Sequence, residues 1–78
     1  MPRFYFDIRH GELLTEDRVG KVLSGIKAVQ RQAQYELAEM LMRVSGSATH
    51  KGVTIEVKDE AGKLLLRAKL LLEIEILV

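Results

Sequence analysis

The sequence has no cysteine, no tryptophan and a single proline in 78 residues. Without cysteine there is no disulfide staple, no thiol nucleophile and no thiolate metal site. A cysteine-free chain also suits a reducing compartment, so a cytoplasmic location is expected. Charge of one sign is lacking as well. The net charge is +1, which gives no strong pull toward nucleic acid or an anionic membrane. No run approaches the roughly 18 apolar residues of a membrane-spanning helix. Met1-Pro2-Arg3 leads straight into Phe4 without a basic and then apolar leader, so neither a signal peptide nor a membrane partner is expected.

What is present has a folded balance: 47% hydrophobic and 29% charged residues. Residues 1–78 read as a single domain. A chain this short buries little core, and neither a disulfide nor a metal cluster is available to reinforce it. The remaining staple is a second copy, so a homodimer is expected before any motif is read.

Arg3 to Arg9 alternates strictly, with Phe4, Phe6 and Ile8 on one side. That period of two predicts a strand over about 3–9. His10-Gly11 then reads as a two-residue turn, setting Arg9 opposite Glu12, Ile8 opposite Leu13 and Phe6 opposite Thr15. A short edge strand follows over about 12–16. Asp17 to Leu23 is a connector, and Ser24 is a candidate N-cap. Ile26, Val29, Ala33, Leu37, Met40, Leu41 and Val44 fall within an arc of about 120° on a helix. The helix is predicted over about 25–45, ended by Ser45-Gly46-Ser47 with Gly46 left-handed.

Val53, Ile55 and Val57 alternate with polar residues and predict a strand over 53–58. Asp59-Glu60-Ala61-Gly62 turns the chain into a last strand over 63–70. A three-residue loop mixes the two faces. A four-residue loop sets Val57 opposite Leu64, Ile55 opposite Leu66 and Val53 opposite Ala68, and keeps one face apolar, at the cost of Lys58 facing Lys63. The four-residue loop is therefore preferred, with Gly62 left-handed. The predicted fold is α+β: a two-layer ββαββ arrangement, with a four-stranded, mainly antiparallel sheet and one helix on one face.

The end of the chain is unusual. Leu64, Leu66, Ala68, Leu70, Leu72, Ile74, Ile76 and Val78 continue the apolar alternation through a 71–78 extension. As one strand this segment would span about 50 Å, beyond a domain whose radius of gyration should be about 11–12 Å. Either it bends and pairs twice, or its end pairs with another chain. Leu70, Leu72, Ile74, Ile76 and Val78 are the candidate self-association residues.

Other constellations carry less. His10 and His50 lie far apart in the sequence, in a turn and a loop, without clustered partners. Gly20-Lys21-Val22-Leu23-Ser24-Gly25 lacks the closing Gly-Lys-Ser/Thr of a phosphate loop. Glu12, Glu16 and Asp17 gather near the first hairpin, on a short edge strand that offers no deep pocket. No catalytic residue, cofactor or metal is expected, and the chain reads as a non-enzyme. The face away from the helix shows Arg3, Tyr5, Arg9, Arg67 and Lys69, a candidate single-stranded nucleic-acid surface, with Asp7 and Glu56 interrupting it.

The opening Met-Pro-Arg-Phe-Tyr-Phe-Asp-Ile-Arg-His-Gly resembles a family of small uncharacterised bacterial proteins, frequent in rhizobia, that begin Met-Pro-Arg-Tyr-Phe-Phe. The acidic Glu16-Asp17 with Gly20, the Ala-rich helix from Ala28 to Met42 and the Asp59-Glu60-Ala61-Gly62 turn extend the resemblance over about residues 1–70. His10 stands where the family usually has Asp, and the apolar end after Lys69 departs from its pattern. The resemblance implies the fold and a bacterial origin. It is a family of unknown function and transfers no site residue. The functional expectation is a protein-interaction module that self-associates through its C-terminal strand, or engages another protein. The alternative is nucleic-acid binding on the basic face.

Overall fold

Alternation along the first nine residues and along the last third of the chain produces the longest strands of a five-stranded antiparallel sheet. A computed structural model describes residues 2–43 and 50–78. Strand β1 covers Arg3–His10, β2 Leu13–Thr15, β3 Lys21–Val22, β4 His50–Lys58 and β5 Leu64–Glu73, and helix α1 covers Ile26–Arg43. The sheet order is β2-β1-β4-β5, with β3 also on β1. Every pairing is antiparallel. The predicted α+β class and its layering hold.

The helix packs across β4 and β5. Val29, Ala33 and Leu37 are its buried line, and they meet Phe4, Phe6, Val53, Ile55 and Val57 in one core. Met40 and Leu41 flank that line, half-buried. Ile26, counted in the same stripe, is 55% exposed, because the stripe reaches beyond the sheet at the helix start. Gly25 holds the cap position rather than Ser24: its carbonyl accepts the first helical bond, from Val29 N at 3.0 Å. Val44 and the Ser45-Gly46-Ser47 stop lie outside the described residues.

Both hairpin registers differ from the expected ones by two positions. Ile8 faces Thr15 and Arg9 faces Leu14, so Gly11 and Glu12 form the turn and His10 belongs to the strand. Gly11, at φ 62°, takes the left-handed turn position that only glycine adopts cheaply. Val57 faces Leu66, Ile55 faces Ala68 and Val53 faces Leu70. A shift of two preserves which face each side chain takes, so the predicted apolar face survives. An irregularity between Val57 and Lys58 then brings Lys58 opposite Leu64, and the Lys58–Lys63 pair does not form. The Asp59 carboxylate builds this turn, accepting from Ala61 N and Lys63 N, both at 2.9 Å. Loop length was the free variable in both hairpins, and in the second it is set by the Asp59 bonds rather than by hydrophobic pattern.

Strand β3 was not expected, since two residues cannot display a period. Strand β4 begins at His50, earlier than expected, and β5 continues to Glu73 opposite it. The radius of gyration is 14.0 Å and the long axis 52 Å, more elongated than a sphere-like domain of this size.

Candidate functional site: two edges of one sheet

The β1 edge of the sheet is broken and repaired. Strands β2 and β3 pair with the two ends of β1, leaving a gap opposite its middle. Asp17 fills that gap. Its Oδ2 accepts from Phe6 N at 3.1 Å, a bond that a neighbouring strand would otherwise supply. Its Oδ1 accepts from Val19 N at 3.1 Å and Gly20 N at 3.0 Å, closing the loop around itself. Burial pushes the Asp17 carboxyl up. The Gly20, Phe6 and Val19 N–H groups and the Lys21 charge outweigh it, and the net shift is below 3.8.

Gly20 has φ 74°, and a Cβ there would lie 2.9 Å from the Phe4 carbonyl oxygen. Only glycine fits where the loop touches β1. Arg3 Nη1 ties the same loop down through the Val19 carbonyl at 2.8 Å.

Asp7 belongs to this edge too. Its place in the alternation suggested solvent, yet it is only 5% exposed. The 16–20 loop folds over it, with Asp17 N donating to Asp7 Oδ1 at 2.9 Å. Lys58 Nζ meets the other oxygen at 2.7 Å. That bond and the Asp7 charge raise the Lys58 pKa above 10.5. Beside it, Glu56 accepts from Arg9 Nε at 3.1 Å and Arg67 Nε at 2.9 Å. Those two guanidiniums, Arg9 first, hold Glu56 below 4.5. The sheet face therefore carries two adjacent acids, Asp7 and Glu56, each held by its own cations.

The five residues proposed for nucleic acid do share this face: Arg3, Tyr5 and Arg9 on β1, Arg67 and Lys69 on β5. Arg3 is held by a backbone carbonyl and Arg9 and Arg67 by Glu56. Glu12 and Glu16 do not join Asp17 in its bonded loop. Among the described residues, no three His, Asp or Glu side chains converge on a point that could hold a metal ion. The sequence reading missed Asp7, Asp17 and Gly20 as a unit. The available signal was the Asp-to-Gly spacing of three at a strand end, a typical Asx-type turn.

The β5 edge is different in kind. It is ten residues long and, among the described residues, has no neighbour on its outer side. None of its residues is buried; Leu66, Ala68 and Leu70 are half-buried against the core beneath α1, and Leu72 is half-buried. Between β5 and the helix runs a groove of about 440 Å³, lined on its apolar side by Ala33, Leu37, Leu66, Ala68 and Leu70. The last pair of β5 with β4 among the described residues is Glu73–His50. The next residues make no strand, and Ile74 and Ile76 are 49% and 70% exposed. Of the candidate self-association residues, Leu70 and Leu72 thus lie on β5, and Ile74, Ile76 and Val78 lie beyond it. Among the described residues, no helix is long and apolar enough to cross a membrane.

One helix laid across an antiparallel sheet defines the class as a small α+β domain. Residues 3–71 match the model of a family described as Domain of unknown function (DUF6894), and the chain belongs to that family. The match ends inside β5, before the exposed Ile74, Ile76, Leu77 and Val78. No curated protein and no solved structure matches the chain.

Proposed function

We propose that this protein is a non-enzymatic interaction module that self-associates through β5 and the residues after it. One observation carries the reading: a ten-residue open edge whose apolar side is only half-covered, running directly into exposed isoleucines. Such an edge offers a row of backbone donors and acceptors together with apolar area, and both favour strand addition by another chain. Asp17 and Asp7 support the non-enzymatic part. Backbone N–H groups and Lys58 already engage their carboxylates, so neither is poised for acid–base work.

Multi-angle light scattering on the full chain tests the proposal. A mass near twice 8.8 kDa at micromolar concentration is expected. Removal of residues 74–78 should shift it toward the monomer while the circular dichroism of the fold persists. A monomer with residues 74–78 intact would end this reading.

Nucleic-acid binding through Arg3, Tyr5, Arg9, Arg67 and Lys69 has weaker support. Glu56 neutralises two of its cations and Asp7 neutralises the neighbouring Lys58. A titration with single-stranded DNA at low salt would revive it only if binding appeared and fell steeply with added salt.

A further inference from the structure

Strand β5 carries a charge pattern that is complementary to its own reverse. Resting on self-association through β5, we infer that two copies join in one register: antiparallel, edge to edge, with the two-fold axis at Leu71.

The geometry narrows the choices first. Along a strand, alternate residues aim their N–H and C=O toward one neighbour, and the rest aim them toward the other. In a two-fold antiparallel pair, outward-aimed residues must meet outward-aimed residues. Odd positions therefore meet odd positions and even meet even. The apolar even set of one copy always meets the apolar even set of the other, and the sheet continues through both protomers with the two helices on one face.

Charge then selects among the remaining registers. The odd set on the open face reads Leu65, Arg67, Lys69, Leu71, Glu73, Glu75, Leu77. With the axis at Leu71, Lys69 faces the partner's Glu73 and Arg67 faces the partner's Glu75. Leu65 faces the partner's Leu77, and Leu71 meets its own copy. An axis at residue 70 strands Lys69 opposite leucine, and an axis at residue 72 strands Arg67. Axes at 69 or 73 set Lys69 or Glu73 against itself. Only the Leu71 axis pairs both cations with both acids, and Lys69, Glu73 and Glu75 have no ion pair among the described residues.

The even face agrees. Leu70 meets the partner's Leu72, Ala68 the partner's Ile74 and Leu66 the partner's Ile76. Ala68 and Leu66 line the groove beside α1. The partner's isoleucines therefore cover the half-open apolar side, with Ile74 set against Ala68, the smallest residue of the set. The register also gives residues 74–78 a ladder partner, which they lack among the described residues. Leu71 itself lies opposite Gly52 on β4 and remains 58% exposed at the axis.

The chain's lack of cysteine makes a clean crosslinking test. Directly opposed residues have Cα atoms about 4.5–5.5 Å apart, within disulfide reach. Leu71→Cys should form a self-disulfide dimer under mild oxidation. Lys69→Cys and Glu73→Cys should each crosslink poorly alone and readily when mixed. Separately, Lys69→Glu or Glu73→Lys should weaken dimerisation about tenfold, and the double exchange K69E/E73K should recover most of it. Crosslinking stronger at Leu70→Cys or Leu72→Cys, or a double exchange no better than the single ones, would overturn the register while leaving self-association standing. A monomeric parent chain in light scattering would overturn both.

Discussion

The sheet has two edges that handle the same problem in opposite ways. On the β1 side the edge is cut into pieces of three and two residues, and a carboxylate is inserted between them. On the β5 side it runs ten residues uninterrupted, with apolar residues continuing past its end. Unpaired strand edges invite pairing with other chains, and proteins blunt the edges they do not use. One edge of this domain is blunted by short strands, a glycine contact and charge. The other is left long and unbroken. The contrast makes the β5 edge informative, because the same chain shows what a closed edge requires.

The predictions separate the edges by what each contributes. Gly20→Val should have the largest effect. It forces a branched side chain into a left-handed backbone and against the Phe4 carbonyl, costing about 3 kcal/mol. Urea denaturation would measure this, and a loss below half that size would mean that the loop is not fixed to β1. Asp17→Ala should cost about 2 kcal/mol, because three backbone N–H groups lose their acceptor. Neither change should alter the association constant, since both lie on the blunted edge.

Acid should act on the same edge. The folded-state pKa of Asp17 is lowered, so its contribution to stability is complete above about 3.8 and is lost as pH falls through the folded value. Glu56 shifts the same way below 4.5 and adds to the loss. Stability measured between pH 5 and pH 2 should fall, and the fall should be shallower in Asp17→Ala.

The smallest effect on stability, within about 0.5 kcal/mol, is expected for Ile76→Lys, an exposed position outside any strand. The same change should sharply reduce self-association in sedimentation. If Ile76→Lys instead destabilised the fold as much as Asp17→Ala, the two edges would not be functionally distinct.

Much of this was legible in the residues, and each exception has a physical cause. Phe4, Phe6, Val53, Ile55 and Val57 announced their strands and face, and Val29, Ala33 and Leu37 announced the helix, because burial on one side imposes a period. The apolar end beyond Leu70 was visible for the same reason. Register was not, because a slip of two positions leaves the pattern unchanged. The burial of Asp7 was not either. It comes from a loop ten positions away folding over it, and no local periodicity encodes that contact. Gly25 displaced Ser24 as the cap because the end of a helix is decided by where the chain turns.

The Asp59 turn has a consequence for the order of assembly. It joins β4 and β5 locally, whereas β1 reaches β4 through pairs such as Arg9 and Glu56, 47 residues apart. Local contacts form before distant ones that must first close a long loop. The β4–β5 hairpin is therefore expected to be present in the folding transition state while β1 is still unattached. Rate measurements on Asp59→Ala and Phe6→Leu would show the difference, the first slowing folding and the second mainly speeding unfolding. In that sequence of events the surface for a second copy exists before the domain is closed, so folding and assembly compete for one hairpin.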